Sequence, residues 1–536
     1  IEVVRKTHRF SLAGVNKHYF NEGMNKTIRD EFLLVKDRPF TYAQIIYGAE
    51  DVRVPFRIKE KQEASINLYN LHKVCSIENK VTLALADIEY NGIELDAIKW
   101  MEVVKKYEIR AKLSEKKLDS ILISTEKGRN YKKLGLQLDI FGGIDEKMSC
   151  INWNSDQQVI EVLNNVFDIY PKDKYGKDSS GKVAIELLDN RNEIVDTLLK
   201  YREEIKVVTS FGAKFIKENL HLDNRIRTSF NQIVGTGRIS SRNPNMQNIK
   251  GNKDEDPDSI LFREAFCTNN TDKVLINADF SAQESRVMAD LANDAEYIKF
   301  FNEDGSDIHS FVATKMFSAS FGREFIVTKH NENKAYRQKG KILNFSISFG
   351  AGAWTIAKKL KIEKAEAQNL IDSFYKAFPS LKVFFDDAGK YGLQRGYIVT
   401  DDVSNRLRWL IEWQPYIKLK EKRFKTKEEE KELKKLEGSI KRKCQNTKIQ
   451  GTAASITKVS LIIYRNKLLK AGILPLKDAT VKLVNTIHDE INVECDKIIS
   501  ERWSKELQDS MEESASIFCK KVKIPANTII ETYWAH

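Results

Sequence analysis

The sequence predicts an α+β fold, a sheet with helical subdomains inserted into it. Two stretches carry the sheet. "KVLINADFSAQESRVMADLA" is a buried-strand pattern that ends at Asp279 and turns into a helix. "VKLVNTIHDEINVEC" sets two runs rich in β-branched residues, 481–487 and 491–495, on either side of His488, Asp489 and Glu490. The helical part is illustrated by "KAYRQKGKILNFSISFGAGAW", a helix with Gly just past its end. Strands and helices are intermixed along the C-terminal half without regular alternation, which argues against a βαβ repeat.

At 536 residues the chain has room for roughly three or four sub-domains. Lys plus Arg number 88 against 76 Asp plus Glu, a net charge of +12. That balance favours a polyanionic partner, nucleic acid ahead of an acidic membrane surface. The six cysteines, Cys75, Cys150, Cys267, Cys444, Cys495 and Cys519, form no C-x-x-C pair. Their scatter argues against a zinc knuckle or a disulfide framework and for a reducing compartment. No window approaches the roughly 20 apolar residues of a membrane span, so no membrane partner is expected. The start, "IEVVRKTHRF", has no apolar signal core and begins with Ile, so a fragment or a processed product is expected.

Two charged stretches stand out. From Trp100 to Lys133, apolar residues at helical spacing face a Lys/Arg-rich side, which predicts a long basic helix followed by a turn. A solvated helix face is the commoner meaning of such a pattern. From Tyr416 to Cys444, "YIKLKEKRFKTKEEEKELKKLEGSIKRKC" mixes both signs and predicts a solvent-exposed helical excursion, a poor phosphate track.

Three constellations point to chemistry. The first is the hairpin, with His488 and Asp489 at or beside its turn; Asp is also an ordinary turn residue, so the letters alone allow a purely structural role. Adjacent carboxylates at a rigid tip repel each other unless a cation sits there. The second is the strand end at Asp279, with Glu284 and Arg286 in the first turns of the next helix. Asp279 and Asp489 on neighbouring strands could bridge two divalent ions about 4 Å apart, one activating an attacking hydroxyl and the other neutralising a leaving phosphate. The third is Arg337, Lys341, Phe345 and Phe349, spaced by four along one helix side. Two cations followed by two aromatics suit a nucleoside triphosphate, though surface cations beside core aromatics look the same.

Taken in order, these stretches resemble the family A DNA polymerases. "DFSAQESR", from Asp279 to Arg286, is similar to motif A, D-Y-S-x-x-E-x-R. Arg337 to Gly350 is similar to motif B, R-x-x-x-K-x-x-x-F-x-x-x-Y-G, with Phe349 where Tyr is usual, and His488 to Glu490 to motif C, H-D-E. "TGRISSRNPNMQNI" resembles the segment that contacts primer and template, "GSDIHSFVATKMF" the D-I-H segment, and "KRKCQNTKIQGTAA" the R-x-x-x-N-x-x-x-Q-G-T-A-A segment.

The resemblance implies a right-hand fold and a division of the chain. Residues 1–72 are an exonuclease-like remnant, 73–215 the thumb and its connection, 216–290 the first part of the palm, 291–440 the fingers and 441–536 the second part of the palm. Asp279, Asp489 and the Phe280 carbonyl are implied to hold two Mg2+, Mn2+ being able to substitute, with Glu490 supporting and Lys341 protonating the departing pyrophosphate. The dNTP set is Gln283, Glu284, His309, Arg337, Lys341, Phe345 and Phe349, with Glu284 resembling the gate that excludes a ribose 2′-hydroxyl. The primer–template set is Arg238, Asn245, Gln247, Asn248, Arg442, Asn446, Gln450 and His488. Donors among them reach minor-groove acceptors that occupy similar places in every correct base pair, which tests pair shape without reading sequence. Gln283 and Ser285 stand where motif A is commonly apolar and Phe349 lacks a hydroxyl, departures that bear on fidelity and sugar discrimination. The implied partners are primer–template DNA and dNTPs, with a missing exonuclease part or a processivity factor as further candidates, around a monomer. A single-subunit RNA polymerase shares the palm, but Glu284 and the lack of an extended promoter-binding N-terminus argue against it; a catalytically silent DNA-binding scaffold would have no need of its intact acids.

Near the N-terminus, "FSLAGVNKHYF" and "YAQIIYGAEDVRV" resemble the last part of a 3′–5′ exonuclease, with Tyr47 and Asp51 in Y-x-x-x-D. Residues 1–46 hold neither the D-x-E nor the further Asp that two-metal hydrolysis needs. The chain is therefore expected not to release a mismatched 3′ nucleotide from a labelled primer; robust release would refute this.

Overall fold

The computed structural model describes residues 11–34, 38–131, 151–173, 176–186, 188, 192–249, 251, 256–303, 305, 307–475 and 478–535. The first ten residues, Lys132, Lys133 and Cys150 lie outside them. The chain forms two compact units: Ile1–Glu89, Phe230–Ser241 and Ile276–Ile530 make the first, and Tyr90–Ser229, Arg242–Leu275 and Glu531–His536 the second.

The first unit is built on a four-stranded sheet in the order Ala526–Glu531, Lys273–Phe280, Glu490–Asp496, Val481–Ile487. The expected hairpin is present: Val481–Ile487 pairs antiparallel with Glu490–Asp496, and Ile487 opposite Glu490 leaves His488 and Asp489 as its two-residue turn. What fixes these strands against each other is a row of buried amides. Asn492 Nδ2 donates to Asn277 Oδ1 and to Glu490 Oε1, both at 2.9 Å, while its own Oδ1 accepts from Asn485 Nδ2 at 3.0 Å. A one-residue slip would reverse every side chain and break the two bonds that cross between strands, to Asn277 and Asn485, so the row specifies register as well as contributing stability.

A 44-residue helix, Lys427–Lys470, about 66 Å long, crosses this unit. It starts in a Thr426/Glu429 capping box with Glu428, Glu429 and Glu430 in the first turn, where the helix dipole favours acids. From Thr447 to Leu461 it is buried almost all round. Small residues there let the helix Ser500–Phe518 approach closely, with Ser460 and Ser514 hydroxyls 2.6 Å apart. The expected solvent-exposed excursion is only half right. Tyr416, Ile440 and Cys444 are buried in a core with Ala388, Ile398 and Leu410, because Leu433, Leu436, Ile440 and Cys444 recur at helical spacing beneath the charges. Gly392 makes room for this packing: a Cβ there would lie 2.2 Å from Cys444 Sγ. The division expected at residue 440 thus falls inside one continuous helix.

Helices Ile308–Phe321, Lys334–Ser348, Lys364–Ala377 and Pro379–Arg395 close over a core rich in rings, among them Tyr297, Phe301, Phe374 and Phe378. In the second unit the basic stretch forms the helix Ala97–Ser124 and a short turn of helix, Glu126–Arg129, as expected. Its apolar face packs against Glu193–Phe211, and Trp100 sits among Phe211, Phe215, Phe262 and Phe266 with ring centroids 4.7–5.7 Å apart. Several of its cations are already paired: Lys106 with Asp258, Arg110 with Asp256 and Asp258, Lys117 with Glu193.

Among the described residues the five cysteines are free thiols, and no helix is long and apolar enough to cross a membrane. Asn492→Leu is expected to strand the partners of its amide. At about 1–3 kcal/mol per buried polar group left unsatisfied, the urea midpoint should fall clearly; an unchanged midpoint would show that the amide row does not hold the sheet.

Candidate active site

Asp279 is the penultimate residue of its strand, and the chain reverses immediately after it. Ala282 takes φ +50°, ψ +42°, and the helix Gln283–Ala292 begins at the next residue. A side chain in this left-handed region costs about 1–2 kcal/mol. His488, in the hairpin turn, carries the same kind of strain at φ +55°. Both acidic tips therefore stand on strained two-residue turns, and such strain gathers at functional sites. Arg286 secures the first turn from behind: buried, it donates to the carbonyls of Ser281 at 3.0 Å and Lys523 at 2.8 Å and lies over the Phe301 ring. Asp290 on the same helix receives the backbone N–H groups of Lys520, Lys521 and Val522.

Three distant segments meet at Glu284. Its carboxylate pairs with the Arg238 guanidinium. Burial raises the Glu284 carboxyl above its ordinary range; Arg238 opposes this and the charge of Asp489 adds to it. The field of Asp489 at Glu284 brings motif C to motif A, and Arg238 brings the "TGR" segment to both. Glu490 is buried at 4% exposure beneath the turn and is held by Asn492. His488 is exposed, and Asp489 and Asp279 are half-buried. Gln283 points the other way: its amide donates to Thr457 at 3.4 Å in the core, and only 4% of the residue is exposed.

A second cluster forms where the motif B helix crosses Ile308–Phe321. Arg337 grips Asp307 through Nε and Nη2 at 2.9–3.2 Å, and Asp307 also caps its own helix at Ser310. Although burial opposes it, the bonds from Arg337 and Ser310 hold the Asp307 carboxyl far below the usual carboxylate range. Burial, then the cations of Arg337 and Lys341, push the neighbouring His309 down to about 4, so its ring is neutral at physiological pH. Its Nδ1 is buried without a hydrogen-bond partner. Arg337, Lys341 and His309 thus share one electrostatic neighbourhood. Gly340 sets this crossing: a Cβ there would lie 2.8 Å from Ala313 Cβ and 2.9 Å from the His309 carbonyl. Phe345, its ring centroid 5.6 Å from His309, is 43% exposed and Phe349 39% exposed. Beyond them Gly350, at φ +72°, turns the chain against Arg442. From the long helix, Arg442 is exposed, Gln450 buried, and Asn446 Oδ1 buried without a partner.

Asn245, Gln247 and Asn248 belong to the second unit. Asn245 caps the short turn Met246–Asn248 through the N–H of Gln247, 3.0 Å. Asn245 and Asn248 line a groove of about 1050 Å³ together with Arg110, Lys200, Arg202 and Lys206. In the N-terminal segment, Tyr47 and Asp51 are brought together, but by a lysine: Lys26 Nζ lies 2.9 Å from Asp51 Oδ1 and donates to Tyr47 Oη at 3.2 Å. Sequence reasoning missed Lys26, which carries no local signal, and Asp307, whose place as the residue before a helix was legible as an N-cap.

Among the described residues no three His, Cys, Asp or Glu side chains gather into an all-protein metal cage. Mg2+ is commonly held by one or two carboxylates and completed by phosphate oxygens and water, a donor set that Asp279 and Asp489 fit.

A family model described as "DNA polymerase family A" matches residues 137–536. Among curated proteins, DNA polymerase I of Geobacillus stearothermophilus is 25% identical over 520 residues, covering 96% of this chain and 51% of that protein. DNA polymerase I of Borreliella burgdorferi is 28% identical over 519 residues, covering 95% and 49%. The chain spans about half the length of these relatives. Among solved structures, the polymerase domain of Pol1 from M. smegmatis, in complex with DNA primer-template and dNTP, superposes with a TM-score of 0.74 at 21% identity, covering 98% of this chain and 79% of that one. The mixed α+β architecture is therefore the fold of that polymerase domain, and the chain belongs to DNA polymerase family A.

Proposed function

We propose that this chain is a DNA-directed DNA polymerase, a nucleotidyltransferase that adds deoxynucleotides to a primer 3′-hydroxyl and releases pyrophosphate during replication or repair. The observation that carries the reading is the meeting of Arg238, Glu284 and Asp489 from three separate family motifs. In this reading residues 1–72 are the exonuclease-like remnant, 73–215 the thumb, 216–290 and 441–536 the palm, and 291–440 the fingers.

Asp279, Asp489 and the Phe280 carbonyl would hold two Mg2+, which would supply charge for phosphoryl transfer. The chain's own residues do the remaining work. Arg337 and Lys341 attract the triphosphate, and the neutral His309 adds a hydrogen-bonding group beside them. Arg337 enters already oriented by its fork on Asp307, which reduces the entropy lost on binding. Lys341 gives a proton to the leaving pyrophosphate in this reading. Phe345 and Phe349 offer exposed rings for base and sugar. Glu284 closes the space next to the sugar, and Arg238 shields its charge while reaching for the primer end. In the second unit, the groove bearing Asn245 and Asn248 takes duplex backbone, so its hold weakens steeply with salt. The Lys26–Asp51 pair supports a remnant that does not proofread, since the carboxylate already has a cation.

Two measurements test this. Primer extension on a DNA template with Mg2+, run in parallel with deoxy- and ribonucleotides, is expected to proceed with deoxynucleotides alone; preferential ribonucleotide use would favour a single-subunit RNA polymerase. Asp489→Ala is expected to abolish extension while duplex affinity changes less than about tenfold, roughly 1.4 kcal/mol. Retained turnover in that variant would overthrow the metal assignment, and absence of turnover in the wild-type chain would favour a DNA-binding scaffold.

A further inference from the structure

Lys458 lies in the middle of the long helix and is fully buried, at 0% exposure. Its Nζ is 2.7 Å from Glu78 Oε1, on the helix His72–Asn91, and 2.8 Å from the carbonyl of Gln232. Arg406, from the loop of the hairpin Tyr397–Val399/Leu407–Trp409, reaches the same Glu78 oxygen with Nη1 at 2.5 Å. The Gln232 side chain in turn donates to the Glu78 carbonyl at 3.1 Å and to Thr82 at 3.0 Å. Two cations and one carboxylate are thus enclosed together, and Glu78 Oε2 has no hydrogen-bond partner.

Such a group is expensive. Burial, then the charge of Arg406, push the Lys458 ammonium down to about 8 despite the opposing carboxylate. An apolar side chain of similar volume in such a place is often neutral or stabilising, so a buried charge is better explained by what it holds. What it holds is the segment Gln232–Gly237. Lys458 fixes one end at the Gln232 carbonyl. Arg406 packs on the other end: Gly237 sits at φ +82°, and a Cβ there would lie 2.8 Å from Arg406 Cδ. Between them Thr236 passes the long helix at Gly451, where a Cβ would lie 3.3 Å from the Thr236 carbonyl. Directly after Gly237 comes Arg238, paired with Glu284.

We infer that Lys458 and Arg406, bridged by Glu78, are positioning residues for Arg238: they clamp the segment before it and so set how its guanidinium meets Glu284 and the primer terminus. This rests on the polymerase reading proposed above. Lys458 is closed off from solvent, and Arg406 is turned inward onto Glu78 and Ser455. Their effect on catalysis passes through Arg238, which makes it separable from a general contribution to the core.

The experiment is a double-mutant cycle in single-nucleotide extension, with Lys458→Met, Arg238→Ala and the double variant on matched and mismatched primer ends. Lys458→Met is expected to lower kcat/KM on matched ends about tenfold, within the range of coupling between connected residues, and to narrow the preference for matched over mismatched ends. The double variant is expected to match Arg238→Ala within about twofold. Losses that multiply, or a matched-end preference unchanged in Lys458→Met, would overturn the inference. Arg406→Lys keeps the charge and loses the guanidinium fork. If Lys458→Met fails to fold, Arg406→Lys carries the cycle with the same two expected outcomes. Failure of the wild-type chain to extend any primer would instead overturn the polymerase reading, and this inference with it.

Discussion

The arrangement depends first on register. Asp279 and Asp489 come from opposite ends of the C-terminal half of the chain, and they can act together only if their strands are aligned to the residue. The Asn492 amide supplies that alignment, with both donor hydrogens and its acceptor engaged by Asn277, Glu490 and Asn485. An apolar core tolerates sliding, because one Val packs much like another. A fully satisfied buried amide does not, because each slipped register strands polar groups away from water. The two strained turns, at Ala282 and His488, become tolerable on this base, since the sheet beneath them over-determines their conformation.

Above the sheet, electrostatics takes over. Three sets of opposed charges stand there: Glu284 with Arg238, Asp307 with Arg337, and Glu78 with Lys458 and Arg406. Pairing of this kind orients long side chains before any ligand arrives. It also sorts them by function. Arg337 is held by a carboxylate at the edge of a helix crossing, where a polyanion can share it, whereas Lys458 is sealed in the core, where only the protein can use it. The neutral imidazole of His309 follows first from its burial and then from the two cations beside it.

Much of this was legible in the sequence. The hairpin and its turn followed from β-branched runs broken by His488 and Asp489, and the helix from Lys334 to Ser348 from its period and the glycine beyond. The Arg337–Lys341 side of that helix came from spacing by four. The depth of the region 416–444 was not legible, because its charges outnumber the four apolar residues that bury one face. The destination of Gln283 was also hidden: a polar residue in the first turn of a helix can face solvent or core, and only the neighbouring Thr457 decides it. Partners far apart in sequence, such as Lys26 with Asp51 or Glu78 with Lys458, leave no periodic trace at all. Local pattern reports the elements, whereas pairing between elements is a property of the tertiary fold.

The central claim is that motif A and motif C meet at one metal-binding place. Iron-directed cleavage tests it most directly: Fe2+ with ascorbate and peroxide, bound in place of Mg2+ in the presence of primer–template and dNTP, cuts the backbone beside its ligands. The account predicts two cuts, one near Asp279 and one near Asp489, both suppressed by excess Mg2+ and both lost when either aspartate is replaced by Asn. A cut at one aspartate that persists when the other is replaced would contradict it.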